Sequence, residues 1–260
     1  MHETRNAQVT DLDRLSRFAA LSQLSIPELR LLANDLVRSD FKRYEIIFDQ
    51  SALASQANIL LRGVARITCL SAHEDRVTVA LLAPGPIPEF PSNFISRSNF
   101  QCEAYSDCRV GSLGWADFNR LLWNSSESAF KAFHENDLKL WYRLLLRSSS
   151  FFNLGLHERV GMTLLELCSD FGIEDARGTL LGVSFSHQDI ASLVGASRPR
   201  ITEHLAQFER ERFLIRDGRH LVVFADKLNA SMGTHAHSER YIRDRLANTI
   251  PKENRTHVTA

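Results

Sequence analysis

Six arginines stand between Ser197 and His220: Arg198, Arg200, Arg210, Arg212, Arg216 and Arg219. Four acids share the segment, Glu203, Glu209, Glu211 and Asp217, which leaves an excess of two positive charges. The whole chain of 260 residues has 31 basic and 31 acidic side chains. Bulk charge therefore cannot hold it on nucleic acid, and any such contact needs a local basic face. Arg198 and Arg200 follow Ser197, a residue type that caps helices, and precede Ile201 and Leu205 at helical spacing. They open a helix, and the first turn of a helix presents unpaired N–H groups and a positive dipole end to anions. The chemistry on offer is the holding of phosphates and the reading of base edges.

Residues for other chemistries are scattered. The sequence has no glycine-rich phosphate loop, no GxSxG, no HExxH and no CxxC, so it is not expected to be an enzyme. Cys69, Cys102, Cys108 and Cys168 are too few and too dispersed for a disulfide scaffold. Cys102 and Cys108 read as buried small side chains, with a thiol switch as the alternative. His235-Ala236-His237 reads as a tail loop and His134 as a surface histidine, and no metal site is expected. Met1-His2-Glu3-Thr4-Arg5 leads into no apolar run, and no stretch approaches the ~18 apolar residues of a membrane span. A soluble, cytoplasmic protein is expected.

The elements around the arginines form a pattern. Ser186-His187-Gln188-Asp189 caps a helix through Val194, Gly195 ends it, and Ser197 starts the next, a recognition helix over 198–210. Ile190, Val194, Ile201 and Leu205 supply the core, and Ala191 lets the two helices cross closely. This is helix–turn–helix spacing. Two β-prone runs then flank Asp217-Gly218, read as a two-residue hairpin turn with Arg216 and Arg219 on either side. A helix–turn–helix followed by such a hairpin is a winged helix.

Upstream, Thr10 and Ser25-Ile26-Pro27-Glu28 open two short helices. Short apolar runs follow at 44–48, 58–61, 64–70, 76–82, 100–106 and 109–113, a spacing that predicts an antiparallel barrel or sandwich. Prolines make 84–97 a loop. A helix over 115–123 precedes a long one over 127–149. In the latter Phe130, Phe133, Leu138, Trp141, Leu144 and Leu145 form an apolar stripe, read as covered by a second copy of the helix, with packing on its own domain as the alternative. Phe151-Phe152-Asn153-Leu154-Gly155 breaks the pattern and is expected to be the domain boundary. A helix over 157–171 and a strand over 180–185 follow.

With these modules in this order, the chain resembles the CRP/FNR family of bacterial transcription regulators over residues 20–225. The resemblance rests on Tyr44-Glu45-Ile46-Ile47-Phe48, Ile59 through Ile67, Leu82-Ala83-Pro84-Gly85, the long helix, and Val194-Gly195-Ala196-Ser197-Arg198-Pro199. It implies an α+β chain in four parts. Residues 1–124 are a cyclic-nucleotide-binding-like antiparallel β-roll of the double-stranded β-helix type with N-terminal helices. Residues 125–152 are a dimerisation helix and hinge, 153–226 a winged helix–turn–helix, and 227–260 a polar, flexible tail with a short helix near 241–246.

The implied function is a homodimeric regulator that lays the helix from Arg198 in the major groove of an inverted-repeat operator. Arg198 is assigned to a guanine, Glu203 to a cytosine amine, and Thr202 to a base or thymine methyl. Ser197, Arg200, His187, Arg216 and Arg219 are assigned to phosphates. Pro199 and Glu203 stand where well-known members carry a glutamate and an arginine, so the operator is expected to differ from theirs. RNA polymerase is a candidate partner besides DNA and a second copy of the chain. The candidate effector pocket comprises Gly85, Glu89, Arg97, Ser98 and Asn99. Ser98 and Asn99 occupy the positions of the family's phosphate-gripping Arg-Ser pair, so cyclic AMP is not the expected effector and no cofactor is named. The alternatives are a ligand sensor whose helix–turn–helix docks a protein, and a cyclic-nucleotide regulator with an atypical phosphate site.

Overall fold

The computed structural model describes residues 11–49, 56–70, 76–88 and 100–232. The chain divides into two compact units, Met1–Tyr142 and Arg143–Ala260. Among the described residues no helix is long and apolar enough to cross a membrane.

The first unit begins with a helix over 11–17 (α1), a 3-10 turn at Ala19–Leu21 and α2 (Ile26–Asp35). Leu15, Leu21, Leu29 and Leu32 bury themselves against Phe118, Leu122 and Phe133. Thr10, the expected cap, lies outside the described residues. Among the described residues eight strands follow: β1 (Val37–Phe41), β2 (Ile46–Phe48), β3 (Gln56–Arg62), β4 (Ala65–Leu70), β5 (Arg76–Leu82), β6 (Gly85–Pro86), β7 (Phe100–Ala104) and β8 (Cys108–Gly114). They make two antiparallel four-stranded sheets, ordered β1-β8-β3-β6 and β2-β7-β4-β5.

β1 has no apolar alternation in the sequence and is not among the expected strands. It is held by its neighbour: Asp40 lies directly opposite Arg109 in the ladder and accepts two hydrogen bonds of 2.8 Å from the guanidinium. On the other sheet Glu103, 1% exposed, accepts from Arg66 and, at 3.3 Å, from Arg76, which answers the cost of burying a carboxylate. Cys102 and Cys108 are both free and buried. Burial pushes both thiols up, Cys108 to about 11, and Cys108 Sγ lies 3.1 Å from the carbonyls of Val64 and Ser106. Of the candidate effector residues only Gly85 falls within the described part, paired with Leu60 across β3 and β6. Glu89, Arg97, Ser98 and Asn99 lie outside it, as do His235 and His237.

α3 (Trp115–Trp123) and α4 (Glu127–Asn153) complete this half. α4 has 27 residues, about 40 Å of helix, and does not break at Phe151 as expected. No glycine or proline interrupts it before Gly155. Its last turns are tied down within the second unit. Arg147 donates to Glu166 at 2.6 Å, and Arg143 donates to Glu166 at 3.4 Å and to Asp170. Burial raises the Glu166 carboxyl, but the two arginines outweigh it and leave the group below its usual range.

The apolar stripe of α4 needs one correction. Phe133 faces the core of its own unit, 4% exposed and edge-on to Phe118 at 5.0 Å. Leu144 is half-buried, while Phe130, Leu138, Trp141 and Leu145 are exposed. Phe152, expected to lie past the helix, is 88% exposed upon it. The outward positions 134, 138, 141, 145, 148 and 152 follow alternating steps of four and three, the spacing of a coiled-coil seam. His134 lies in that row, its ring 4.2 Å from Phe130.

The second unit continues with α5 (Leu156–Phe171), β9 (Gly172–Asp175), β10 (Gly178–Leu181), α6 (His187–Val194), α7 (Arg198–Arg210), β11 (Leu214–Asp217), β12 (His220–Val223) and α8 (Ala225–Ser231). The strands form one antiparallel sheet, β11-β12-β10-β9. The strand expected over 180–185 ends at Leu181, because Gly182 N donates back to the Phe171 carbonyl and Phe185 turns in against Phe171. The tail does not become free at residue 227. Leu228 is fully buried and Met232 nearly so, seated where a side chain at Gly161 would strike it.

Candidate nucleic-acid interface

The helix–turn–helix is built by local chemistry. Ser186 and Asp189 form a reciprocal capping box at the start of α6: Asp189 N donates to Ser186 Oγ at 3.1 Å, and Ser186 N donates to Asp189 Oδ2 at 2.9 Å. Gly195 ends α6 at φ 64°, ψ 49°, where a side chain costs energy, and Ala196 N closes the turn onto the Ala191 carbonyl at 3.0 Å. Gly195 has a second reason to be glycine. A Cβ there would lie 2.6 Å from the edge of the Phe151 ring on α4. Arg159 stacks on that ring at 5.3 Å and donates to the carbonyls of Val194 (3.2 Å) and Leu154 (3.1 Å), sealing two helix ends with one guanidinium.

α7 presents its first turn outward. Ser197 takes the cap position, but its hydroxyl makes no capping bond and remains exposed. Pro199 occupies the first turn, where a missing N–H is harmless. Arg198, Pro199, Arg200, Thr202 and Glu203 are exposed, while Ile201, Leu205 and Phe208 are fully buried. Neither Arg198 nor Arg200 pairs with a carboxylate among the described residues. The far end of α7 is sealed by Lys227, which donates to the Glu211 carbonyl at 2.7 Å and lies 4.9 Å over the Phe213 ring. His157 stacks flat on Phe208 at 4.3 Å.

The wing differs from expectation by one residue. Asp217 is the last strand residue and pairs with His220, so the two-residue loop is Gly218-Arg219. Gly218 has φ 61° and Arg219 does not need a positive φ, which matches the hairpin type with glycine first. Arg219 therefore sits in the loop, exposed, with its carbonyl accepting from Ser184 Oγ at 2.8 Å. Arg216 is exposed but engaged, its Nε 3.2 Å from Glu209 of α7.

Arg177 is a residue that sequence reading missed. From the β9–β10 turn it grips Asp175 at 2.8 and 3.1 Å and reaches Asp217 at 2.5 Å, tying one hairpin to the tip of the other. The same grip holds the Asp175 carboxyl down to about 2. Its signal in the sequence is Asp175-Ala176-Arg177-Gly178, whose residue types favour a turn.

His187 is half-buried at the start of α6. Its Nδ1 lies 2.7 Å from Thr202 Oγ1, and that hydroxyl also donates to the Arg198 carbonyl at 3.1 Å. Burial, then Arg216 and Arg198, hold the imidazole below the usual histidine range. His204 on α7 is lowered by burial and then by His157 and Arg200. The structure thus brings Arg198 of α7 and Arg216 of β11 close to His187 at the start of α6.

Comparison with known proteins places this geometry. Residues 158–230 match the model of the Crp-like helix-turn-helix domain. The chain is 22% identical over 188 residues to the global nitrogen regulator of Synechococcus elongatus, covering 71% of this chain and 84% of that one. Its fold is similar to a mutant of CooA from Carboxydothermus hydrogenoformans, with a TM-score of 0.63 and 18% identity over 78% of this chain and 90% of that one. It is also similar to a CRP-family transcriptional regulator from Thermus thermophilus, with a TM-score of 0.58 and 19% identity over 75% and 97% of the two chains.

Proposed function

We infer that this chain, a transcription regulator of the CRP/FNR type with a Crp-like helix-turn-helix domain, works as a homodimer that binds an inverted-repeat operator. α7 enters the major groove, and two-fold symmetry sets the half-sites one helical turn apart, ~34 Å. The observation that carries the reading is the first turn of α7. Two exposed arginines, without carboxylate partners among the described residues, stand on a helix start that the Gly195 turn sets against α6. Arg198 is assigned to a guanine and Glu203 to a cytosine amine. Arg200, Ser197 and Arg219 hold phosphates, and Arg216 does so on leaving Glu209.

The exposed row Leu138, Trp141, Leu145 and Phe152 is the seam for the second copy, since apolar residues at this spacing on a long helix favour burial against an equivalent one. The effector, on this reading, is not cyclic AMP. Mass spectrometry of the purified native protein tests that by the mass of whatever travels with it.

Selection of bound duplexes from random sequence tests the function itself. The expected product is a palindromic consensus with specificity lost at one base pair in Arg198→Ala, at a cost of about 1–3 kcal/mol. Failure to enrich any sequence, or an Arg198→Ala variant with unchanged operator affinity, overturns the reading or the assignment of its reading residue respectively.

A further inference from the structure

Thr202 is exposed on the recognition helix and so resembles a base-reading residue. Its hydroxyl is already occupied. A hydroxyl has one proton, and here Oγ1 donates it to the Arg198 carbonyl at 3.1 Å. The 2.7 Å bond to His187 is then donated by the imidazole from Nδ1. In the neutral ring this leaves a lone pair on Nε2, the one ring nitrogen left for DNA. A lone pair facing a phosphate oxygen repels it, whereas a second proton turns Nε2 into a charge-assisted donor.

We propose that Thr202 is a positioning residue that locks His187 in its Nδ1–H tautomer and so makes the His187 phosphate contact depend on uptake of a proton. Operator affinity then rises as pH falls. The inference rests on the DNA-binding reading above and adds a regulatory property to it.

The charged groups acting on the ring are Arg216 of β11 and Arg198 of α7. Glu209 takes up part of the Arg216 charge, and Asp189 on the same helix as His187 is engaged with Ser186. In the free protein burial and the two arginines disfavour the imidazolium. A phosphate beside Nε2 supplies the opposite charge and raises the group. A group raised on binding strengthens binding fully below its free value and loses that contribution as pH rises through its bound value.

The test is fluorescence anisotropy of the full chain with a selected operator and a non-operator duplex, from pH 5.5 to 8.5 at fixed ionic strength. The expected result is affinity about tenfold higher at pH 6 than at pH 8, with a slope no steeper than two protons per dimer, one for each His187, and the same on both duplexes. His187→Ala flattens the profile. Thr202→Val also flattens it, because without the hydroxyl the neutral ring can carry its proton on Nε2, and Thr202→Ser keeps the slope. Circular dichroism at each pH checks that the variants are folded. A flat wild-type profile with intact operator binding overturns the proposal and leaves the DNA-binding reading standing. A slope that survives His187→Ala moves the effect to another group such as His204 and overturns it, as does a full slope in Thr202→Val. No binding to any duplex at any pH removes the DNA-binding reading, and the proposal with it.

Discussion

Replacing Gly195 by alanine isolates two costs at one atom. The first is conformational. At φ 64° and ψ 49° a Cβ meets its own carbonyl, which costs about 1–2 kcal/mol for a residue other than glycine. The second is steric. The new methyl would stand 2.6 Å from Phe151 Cε1 and 3.1 Å from Cζ, so the ring must swing away. Phe151 is 43% exposed, so it has room to move, but moving loses its stacking with Arg159, worth about 0.5–1 kcal/mol. Gly195→Ala should therefore destabilise the second unit by about 2 kcal/mol.

In a Phe151→Ala background the steric part is already absent, and the same substitution should cost only the conformational ~1–2 kcal/mol. The assay is urea unfolding of the full chain by far-ultraviolet circular dichroism across the four members of the cycle. Trp115, Trp123 and Trp141 all belong to the first unit, so their fluorescence identifies that unit's transition. Equal costs in both backgrounds would refute the contact between Phe151 and the turn. A cost under about 0.5 kcal/mol in either would refute the need for a left-handed residue.

Three other outcomes follow from the same geometry. Asp189→Ala removes the carboxylate half of the α6 capping box and should cost about 1–2 kcal/mol in the same unfolding experiment; a neutral effect would mean that the box does not hold the helix start. Leu145→Glu, at a position 66% exposed on α4, should change subunit stability by less than about 0.5 kcal/mol yet abolish the dimer in sedimentation velocity; an intact dimer would remove the seam assigned to α4. Burial holds the Cys102 and Cys108 thiols protonated, so at pH 7 iodoacetamide should leave both unmodified in the folded protein, with Cys108 alkylation climbing only as pH nears about 11. Rapid labelling of either at pH 7, read by peptide mass spectrometry, would contradict that burial and revive a thiol switch.

Residues a few positions apart set the local elements of this chain. The α6 cap, the Gly195 turn, the proline-tolerant start of α7 and a hairpin near Gly218 are all chosen by residues within a few positions of one another, and they were legible as such. The outward placement of Arg200 follows from the periodicity that buries Ile201, Leu205 and Phe208, whereas Arg198 lies on their side of the helix and is exposed because it stands in the first turn.

Other features depend on partners far along the chain. β1 is a strand because its backbone pairs along its length with β8, distant in sequence, with Asp40 opposite Arg109. Phe133 turns inward because Phe118 waits for it, a choice that helical spacing alone leaves open. The wing turns one residue later than Asp-Gly suggested, since Asp217 is claimed by His220 across the ladder and by Arg177 from another hairpin. Thr202 looks like a reader of bases until His187 and the Arg198 carbonyl are placed beside its hydroxyl. In each case the deciding energy is a contact between groups brought together only by folding, and no local pattern of residues encodes it.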